Sequence, residues 1–311
     1  MFFRPLQSLC ALLALVAVLP AFPAMARDPD QIIHFSDLRG EVIEGGVWLP
    51  ASGPDASPRA LVVISHGNGG GYAGHDDTAR ALADAGFIVA ALSHPGDNFR
   101  DQSRGLQLTG RAPQLSALIA YMVDDWRGPV LLDADRIGAF GFSAGGFTVT
   151  SIVGGVSELP AILDHCAAHP DLFACRLLAM GPPDPAQWHP ESRDPRVKAA
   201  VIAAPGFGGS FTTASLASIT VPVQLWQAAD DQILPSPYNV EPVRDRLGRA
   251  PEYHRVEGAG HFDFLPACTP QMRAAVPELC VSTPGFDRAA FKVEFNRQVV
   301  AFFHAALSAA P

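Results

Sequence analysis

The segment RIGAFGFSAGG at residues 136–146 decides the fold. It begins with a short apolar run, 136–141, that has the length and composition of a buried strand, and the residues after it are compatible with a helix. Ser143 therefore lies at a predicted tight turn from strand to helix, a context typical of a nucleophilic serine. The flanking glycines would let the helix pack closely on the strand, and the helix amino terminus would offer free amides to a developing oxyanion. Outside such a context, GFSAG would indicate only a Gly-rich structural turn.

Strands and helices alternate on both sides of this turn. Short apolar runs bounded by Gly, Pro, Asp or His predict buried parallel strands, and helical patterns lie between them, as is typical of a doubly wound sheet. Two further strands are expected at 41–49 and 252–256, and a long terminal helix at 286–307. The predicted strands are 60–65, 87–92, 136–141, 197–204 and 221–227, and the predicted helices are 76–85, 113–126, 143–153 and 236–247.

Residues from about 154 to 196 interrupt this alternation. The connection is much longer than the few residues usual between a helix and the next strand. It contains a possible helix at 159–168 and a proline-rich, irregular stretch at 181–195. We interpret the insert as a helical lid over Ser143. Its apolar face would consist of Leu159, Ile162, Leu163, Leu172 and Phe173.

A glycine-rich loop, SHGNGGG at 65–71, follows the predicted strand 60–65. Glycines let a backbone approach a substrate carbonyl closely, so the amides of Asn68 and Ala144 are predicted to form an oxyanion hole. A phosphate-binding loop is the alternative interpretation, but the Lys-Ser/Thr ending that such loops require is missing here. His66 is expected to orient the turn rather than act as a base.

When the serine lies on a strand-to-helix turn of this kind, the acid follows it in the sequence and the histidine base follows the acid. Asp230 and Asp231 come directly after the strand 221–227, and both stay candidates for the acid. Asp231 is preferred because it precedes Pro235 by four residues, the interval usual for the acid in related hydrolases. Among the later histidines, His261 lies in a Gly-rich loop, whereas the other two lie in a predicted strand and in the terminal helix. His261 would take the Ser143 proton, Asp231 would orient the imidazole, and no metal or cofactor is needed.

The amino terminus has the features of a secretory signal peptide. A basic start is followed by the apolar run 9–19 and by Ala24-Met25-Ala26, so cleavage is predicted after Ala26. An uncleaved anchor is the alternative, but the run is short for a bilayer core of about 30 Å. Residues 27–311 would then be one exported domain, periplasmic or secreted, without a membrane span.

Composition excludes several classes of protein. Hydrophobic residues make up 48% of the chain and charged residues 17%, a balance typical of a globular protein rather than a disordered one. The formal net charge is −9, and no cluster of Lys and Arg offsets it. Nucleic acid and anionic membrane surfaces are therefore excluded as expected partners, because they require a basic surface.

Four cysteines lie in the predicted exported domain, an even number typical of disulfides. Three connectivities are possible. Proximity in the sequence favours Cys166 with Cys175 and Cys268 with Cys280. A metal site around 164–175 is the alternative, although its spacing matches no common zinc pattern.

Five motifs together resemble the predicted dienelactone hydrolases, a bacterial branch related to platelet-activating factor acetylhydrolases. They are SHGNGGG (65–71), GFSAGG (141–146), VPVQLW (221–226), AADDQILP (228–235) and GAGHFDFL (258–265). The resemblance implies an α/β-hydrolase fold, hydrolysis of carboxylic esters and a triad carried over to Ser143, Asp231 and His261. The segment SHPGDN at 93–98 also resembles the family, and no role is assigned to it.

Two departures from this pattern matter. Authentic dienelactone hydrolases use a cysteine where this chain has Ser143, so their lactone substrate is not inherited. In the acetylhydrolases the acid follows the preceding strand, where this chain has AAPG at 203–206, so the acid is expected after 221–227. The predicted substrate is a small-molecule ester with a short or medium acyl chain. A peptidase or amidase, a thioesterase and a non-catalytic binding module are the alternatives.

Overall fold

The structure is a computed structural model that describes residues 28–51 and 57–308. The predicted signal peptide at 1–26 lies outside these residues. The described chain contains an eight-stranded sheet in the order β1-β2-β4-β3-β5-β6-β7-β8. β2 pairs antiparallel with β1 and with β4, and the other neighbours are parallel. The strands are β1 (Gln31–Ser36), β2 (Val42–Trp48), β3 (Arg59–Ser65), β4 (Ile88–Leu92), β5 (Leu132–Phe142), β6 (Val197–Ala203), β7 (Val223–Ala228) and β8 (Glu252–Val256).

Helices connect most of these strands and cover both faces of the sheet. A π-helical turn, Tyr121–Asp125, extends α2, and short 3₁₀ turns lie in several loops. The helices are α1 (Asp76–Asp84), α2 (Arg111–Ala120), α3 (Ala144–Ile152), α4 (Leu159–Ala168), α5 (Phe173–Met180), α6 (Thr213–Ala217), α7 (Val240–Arg246), α8 (Pro270–Ala275) and α9 (Arg288–Ala306). None of the helices in the described residues combines the length and hydropathy that a membrane span requires.

Apolar side chains pack on both faces of the sheet. In β3, Val63 faces one cluster, which includes residues of α2 and α3, and Val62 faces the other, which includes residues of α1 and α9. Strands buried on both faces need apolar residues at every position, which explains why they appear in the sequence as continuous runs. The predicted doubly wound, mostly parallel sheet is confirmed.

The insert between α3 and β6 contains α4 and α5, and its packing corrects the predicted apolar face. Leu159 and Ile162 are buried as expected, but Leu163 is 43% and Phe173 42% exposed. In α5 the buried side chains are Cys175 and Leu178, three residues apart on one face. Phe173, two residues before Cys175, therefore points away from the core.

The carboxyl ends of the parallel strands place the predicted site residues at one edge of the sheet. Asn68 follows β3, Ser143 follows β5, Asp231 follows β7 and His261 follows β8. β3 and β5 are hydrogen-bonded neighbours, with Ser65 opposite Gly141. The glycine-rich loop and the serine turn are therefore brought side by side, at the edge where sheets of this kind bind ligands.

Candidate active site

Ser143 lies at a sharp turn between β5 and α3. Its backbone has φ 58° and ψ −117°, a left-handed conformation that is strained for a residue with a side chain. The turn depends on its two glycines. A Cβ atom added at Gly141 would lie 2.0 Å from the Gly145 carbonyl oxygen, and one added at Gly145 would lie 1.9 Å from the Ser65 carbonyl oxygen. Strand and helix therefore approach so closely that side chains are excluded at both positions.

Three predicted side chains are joined by hydrogen bonds. Ser143 Oγ lies 2.9 Å from His261 Nε2, and His261 Nδ1 lies 2.7 Å from Asp231 Oδ2. Asp231 Oδ1 also accepts hydrogen bonds from the amides of the turn that follows it, Ile233 at 2.9 Å and Leu234 at 2.7 Å. The carboxylate is thereby fixed in orientation toward the imidazole.

Asp230, the other candidate acid, has a different environment. Its side chain is exposed, and its backbone amide donates to the Ala259 carbonyl at 2.9 Å. Asp230 therefore connects the turn after β7 to the His261 loop through its backbone. The structure brings Asp231 rather than Asp230 against the imidazole.

The charge state of Asp231 suits an orienting role. Burial alone would raise the pKa of this carboxyl. The nearby His261 and the hydrogen bonds from it, Leu234 and Ile233 outweigh burial and hold the pKa below its ordinary value. An ionised Asp231 accepts the Nδ1 hydrogen of His261, which leaves Nε2 free to accept from the Ser143 hydroxyl.

The glycine-rich loop lies directly against the serine. A Cβ atom added at Gly67 would be 3.4 Å from Ser143 Cβ. In the described part of the chain, the backbone amides of Asn68 and Ala144 donate to no protein acceptor. Both amides are therefore available at the position where an oxyanion bound to Ser143 Oγ would form.

Solved structures with similar folds share this arrangement of strands and helices. A puromycin-hydrolyzing peptidase from Mycobacterium tuberculosis is 20% identical, with a TM-score of 0.61 over 95% of this chain and 41% of its own. The acylaminoacyl peptidase of Pyrococcus horikoshii is 11% identical, with a TM-score of 0.58 over 90% of this chain and 42% of its own. A ferulic acid esterase from Streptomyces cinnamoneus is 18% identical, with a TM-score of 0.56 over 92% of this chain and 94% of its own.

The chain has the α/β-hydrolase fold. It spans about two fifths of the length of the puromycin-hydrolyzing and acylaminoacyl peptidases, and nearly the full length of the esterase. No family model and no curated protein match the sequence. At these identities the likeness establishes the α/β-hydrolase fold alone, because one fold can carry many different activities.

A buried ion pair supports the glycine-rich loop, and sequence reasoning missed it. Asp97 Oδ1 accepts hydrogen bonds from the Gly69 amide at 2.8 Å and the Asn68 side chain at 2.9 Å. Asp97 Oδ2 pairs with Arg111, and both side chains are only 3% exposed. Arg111 also donates to the His66 carbonyl and, at 3.0 Å, to Thr148 of α3. The pair therefore connects the loop to the helix that starts after the serine.

This ion pair gives the segment SHPGDN a structural role. Asp97 belongs to that segment, to which the sequence assigns no role. Its partner, Arg111, begins α2 in an ordinary helical pattern. A single sequence contains no signal that pairs two charged residues separated by two loop turns, so the network could not be predicted.

Two neutral histidines complete the support of the loop. Burial, and then the charge of Arg111, lower the pKa of both His66 and His94 well below the usual value. His66 Nδ1 donates to the Gly67 carbonyl at 2.6 Å, and His66 Nε2 accepts from the His94 amide at 3.1 Å. His94 in turn bonds Ser65 at 2.9 Å and Gln114 at 2.7 Å. His66 therefore orients the turn, as expected from the sequence.

The loop that carries His261 is held by a second buried ion pair. Asp263 accepts from the Gly260 amide at 2.8 Å and pairs with Arg288 of α9 at 2.9 Å. Arg288 also donates to the carbonyls of Leu279 and Val281, at 2.8 and 3.2 Å. The start of α9 therefore fixes both the His261 loop and the segment that follows it.

Both predicted cysteine pairs are at disulfide distance. The sulfurs of Cys166 and Cys175 lie 2.01 Å apart in the insert, and those of Cys268 and Cys280 lie 1.98 Å apart after the His261 loop. Within residues 28–51 and 57–308, no three His, Cys, Asp or Glu side chains are grouped so as to hold a metal ion. Cys166 and Cys175, the cysteines of the alternative metal site at 164–175, are paired with each other instead.

Proposed function

We propose that this protein is a serine hydrolase that cleaves carboxylic esters of small molecules. The observation that carries the proposal is the hydrogen-bonded series Ser143, His261 and Asp231, with the serine on a strained turn beside two free amides. This arrangement is the one a nucleophilic serine needs, because it supplies a base, an orienting acid and oxyanion donors together. The motifs quoted from the sequence, which resemble those of the predicted dienelactone hydrolases, further support the proposal.

The geometry allows a two-step reaction. His261 Nε2 takes the hydroxyl proton as Ser143 Oγ bonds to the ester carbonyl carbon, and the amides of Asn68 and Ala144 stabilise the negative oxygen. His261 then returns the proton to the leaving alcohol as the carbon–oxygen bond breaks, giving an acyl-enzyme. Water attacks the acyl group in the same way and releases the acid. Asp231 stabilises the imidazolium in both steps.

An ester is favoured over an amide as the substrate. The ferulic acid esterase resembles this chain over nearly the full length of both proteins, whereas the peptidases are more than twice as long as the matched region. Peptidase, amidase and thioesterase activities use the same three groups. A substrate panel that contains an anilide beside the esters would detect amidase activity.

The insert at 154–196 is proposed to be a lid that limits acyl length. Two contacts support this role. The rings of His165 and His169 pack on Tyr238, with centroids 5.0 and 4.6 Å away, and Tyr238 lies in the loop that follows Asp231. The insert thus reaches the loop that carries the acid.

Export to the periplasm or the medium is also proposed. The predicted signal peptide supports it, as do two cysteine pairs at disulfide distance, because disulfides persist in oxidising compartments. The mature chain would begin at Arg27.

The test combines a substrate panel with a serine variant. p-Nitrophenyl esters from acetate to palmitate should be hydrolysed, with the highest kcat/KM at short or medium acyl length, and the matching p-nitroanilide should be a poor substrate. Ser143→Ala should reduce kcat by about 10⁶-fold, as expected for loss of a triad nucleophile. The control is Ser151→Ala in the same helix, where the hydroxyl bonds only the Phe147 carbonyl.

A covalent probe separates an enzyme from a binding module. A fluorophosphonate should add one phosphonyl group to Ser143 in the wild type, as measured by intact-protein and peptide mass spectrometry, and none in Ser143→Ala. Labelling at another residue, or full turnover by Ser143→Ala, would reject the assignment.

A further inference from the structure

A cavity of about 390 Å³ lies between the insert and the loop that follows β4. We call it the lid cavity. One wall is formed by the segment 102–107 and the other by the end of α5 with the turn at 181–184. Its volume is in the range of small-molecule sites. Its lining includes Asn68, Leu106, Gln107, Leu177, Met180 and Asp184.

The lid cavity adjoins the proposed oxyanion hole. Asn68 belongs to both, since its amide is a proposed oxyanion donor and its side chain, bonded to the Gly105 carbonyl at 2.9 Å, forms part of the cavity wall. The neighbouring residue Gly67 lies close to Ser143, since a Cβ atom added there would be 3.4 Å from Ser143 Cβ. A group attached to an ester held at Ser143 can therefore extend past Asn68 into this space.

The wall formed by α5 is apolar. Leu177 and Met180 are three residues apart on one face of the helix, while Cys175 and Leu178 face the core. Leu177 and Met180 line the cavity, and Met180 is 78% exposed. Leu106 supplies apolar surface on the opposite side. An apolar group of a ligand would cover this surface and exclude water from it.

One hydrogen-bond donor in the wall has no partner. Gln107 Oε1 accepts from the Asp184 amide at 2.9 Å, which fixes the side-chain amide. Its Nε2 atom is buried and, within the described residues, bonds to no acceptor. Buried polar groups are nearly always hydrogen-bonded, and a ligand oxygen placed in the cavity beside this donor would satisfy it.

The charges of the wall disfavour an anionic ligand. Arg104, the cation among the lining residues, is paired with Glu41 at 2.5 Å. Hydrogen bonds from the Gln187 side chain and the Ala186 amide hold the pKa of Asp184 below its ordinary value, so Asp184 is ionised at neutral pH. A carboxylate on the ligand would meet a negative charge and no free positive one.

We propose that the lid cavity is a substrate subsite for an uncharged, mainly apolar ring that carries an acceptor oxygen, such as a methoxyphenyl group. The subsite rests on the proposed ester hydrolysis at Ser143 and names the substrate class that hydrolysis would serve. The ring packs on Leu177 and Met180, and the oxygen accepts a hydrogen bond from Gln107.

The first test compares esters that differ only in this group. The acyl series is methyl 3-(4-methoxyphenyl)propanoate, its cyclohexyl analogue and its 4-carboxyphenyl analogue. The alcohol series is the acetates of the three corresponding propanols. In one series the methoxyphenyl ester should have a kcat/KM about tenfold or more above both analogues. The series in which this preference appears identifies the side of the ester that occupies the cavity, and equal values in both series overturn the proposal.

The second test fills the cavity. Leu177→Trp should lower the ratio of kcat/KM for the methoxyphenyl ester to that for methyl acetate by about tenfold or more. Gln107→Glu keeps an oxygen for the Asp184 amide but removes the donor, so it should abolish the preference for methoxyphenyl over cyclohexyl. The control is Leu131→Trp, because Leu131 is 63% exposed before the amino end of β5, away from Ser143. An unchanged ratio in Leu177→Trp contradicts the subsite.

Binding separates this proposal from the proposed function. The Ser143→Ala protein should bind the methoxyphenyl ester in saturation-transfer NMR, and the double variant with Leu177→Trp should not. If the wild type binds the ester in this way but hydrolyses nothing, ester hydrolysis is wrong and the subsite stands. If esters are hydrolysed but Leu177→Trp leaves binding unchanged, the subsite is wrong and hydrolysis stands.

Discussion

Asp230 and Asp231 are neighbours in the sequence, but only Asp231 contacts His261. The sequence predicts an acid after the strand that became β7, because chain order requires one there, but both carboxylates satisfied that requirement. The turn distinguishes the two residues. One oxygen of Asp231 accepts hydrogen bonds from two backbone amides within the turn, and the other is bonded to His261. Chain order therefore predicts that the acid follows β7. The choice between Asp230 and Asp231 depends on hydrogen bonds that cannot be read from the sequence.

Substitution of the two acids should affect kcat to very different extents. In Asp231→Asn, the side-chain amide can donate to His261 Nδ1 and so favours the tautomer with its hydrogen on Nε2. That tautomer cannot accept the Ser143 proton, so kcat should fall by about 10⁴-fold. Asp230→Asn should remain within about threefold of the wild type, because an exposed side chain contributes little. Steady-state hydrolysis of p-nitrophenyl butyrate measures both, with circular dichroism melting as the control for folding. A dead Asp230→Asn enzyme beside an active Asp231→Asn enzyme would reverse the assignment.

Prediction at the scale of elements succeeded where the pattern is local. The strand β5, the serine turn and α3 were predicted because their sequence signals are contiguous. The edge strand β1 and the helices α5, α6 and α8 were missed. α7 begins at Val240 rather than 236 because the intervening residues form a turn, with the Tyr238 amide bonded to the Pro235 carbonyl at 3.3 Å.

The Asp97–Arg111 pair belongs to this scale because it joins two elements to the glycine-rich loop. Asp97→Asn retains an acceptor for Gly69 but leaves Arg111 buried beside a neutral partner. Breaking a buried pair in this way costs about 3–5 kcal/mol of folding stability. We also expect kcat to fall by about tenfold or more with little change in KM, because the oxyanion donors act mainly in the transition state.

Denaturant unfolding and steady-state kinetics at one temperature measure the two effects. The matched control is Asp245→Asn, which breaks the pair with Arg244 on the surface and should change stability by less than about 1 kcal/mol. A stability loss in Asp97→Asn without any loss of kcat would show that the pair is purely structural.

The cysteine pair after the His261 loop gives a second prediction about elements. Denatured, unreduced protein should contain no titratable thiol, and peptide mapping should find Cys268 joined to Cys280. Closing a loop with a sequence separation of 12 residues should stabilise the fold by about 3 kcal/mol in the chain-entropy model. Replacing both cysteines with serine should lower the unfolding midpoint accordingly. Four free thiols in the native protein would contradict both the crosslinks and export.

At the scale of the whole molecule, stability should depend on pH through Asp76. Burial, and then the charge of Asp77, raise the pKa of Asp76 to about 6. Because the folded state favours the protonated form, the stability that this group contributes is complete below pH about 4 and is lost as pH rises through 6. Asp76→Asn should therefore stabilise the protein at pH 8, by about 1–2 kcal/mol after allowance for partial exposure, and little at pH 4.

Thermal unfolding at the two pH values measures this difference. Asp84→Asn serves as the control, since that residue is exposed at the other end of α1. An equal shift at pH 4 and pH 8 would show that the gain does not come from the ionisation of Asp76.

The two ends of the insert meet. The Asp194 amide donates to the Ile152 carbonyl at 2.8 Å, so the chain leaves α3 and returns toward β6 at almost the same point. Joining ends that already lie together costs an entropy that grows only slowly with the length of chain between them. We therefore expect inserts of other lengths to be accepted at this position, provided that they replace the core contacts of Ile162 and Leu178. Chimeras that exchange only this segment would then test whether the proposed hydrolase can change what it accepts while Ser143, Asp231 and His261 stay in place.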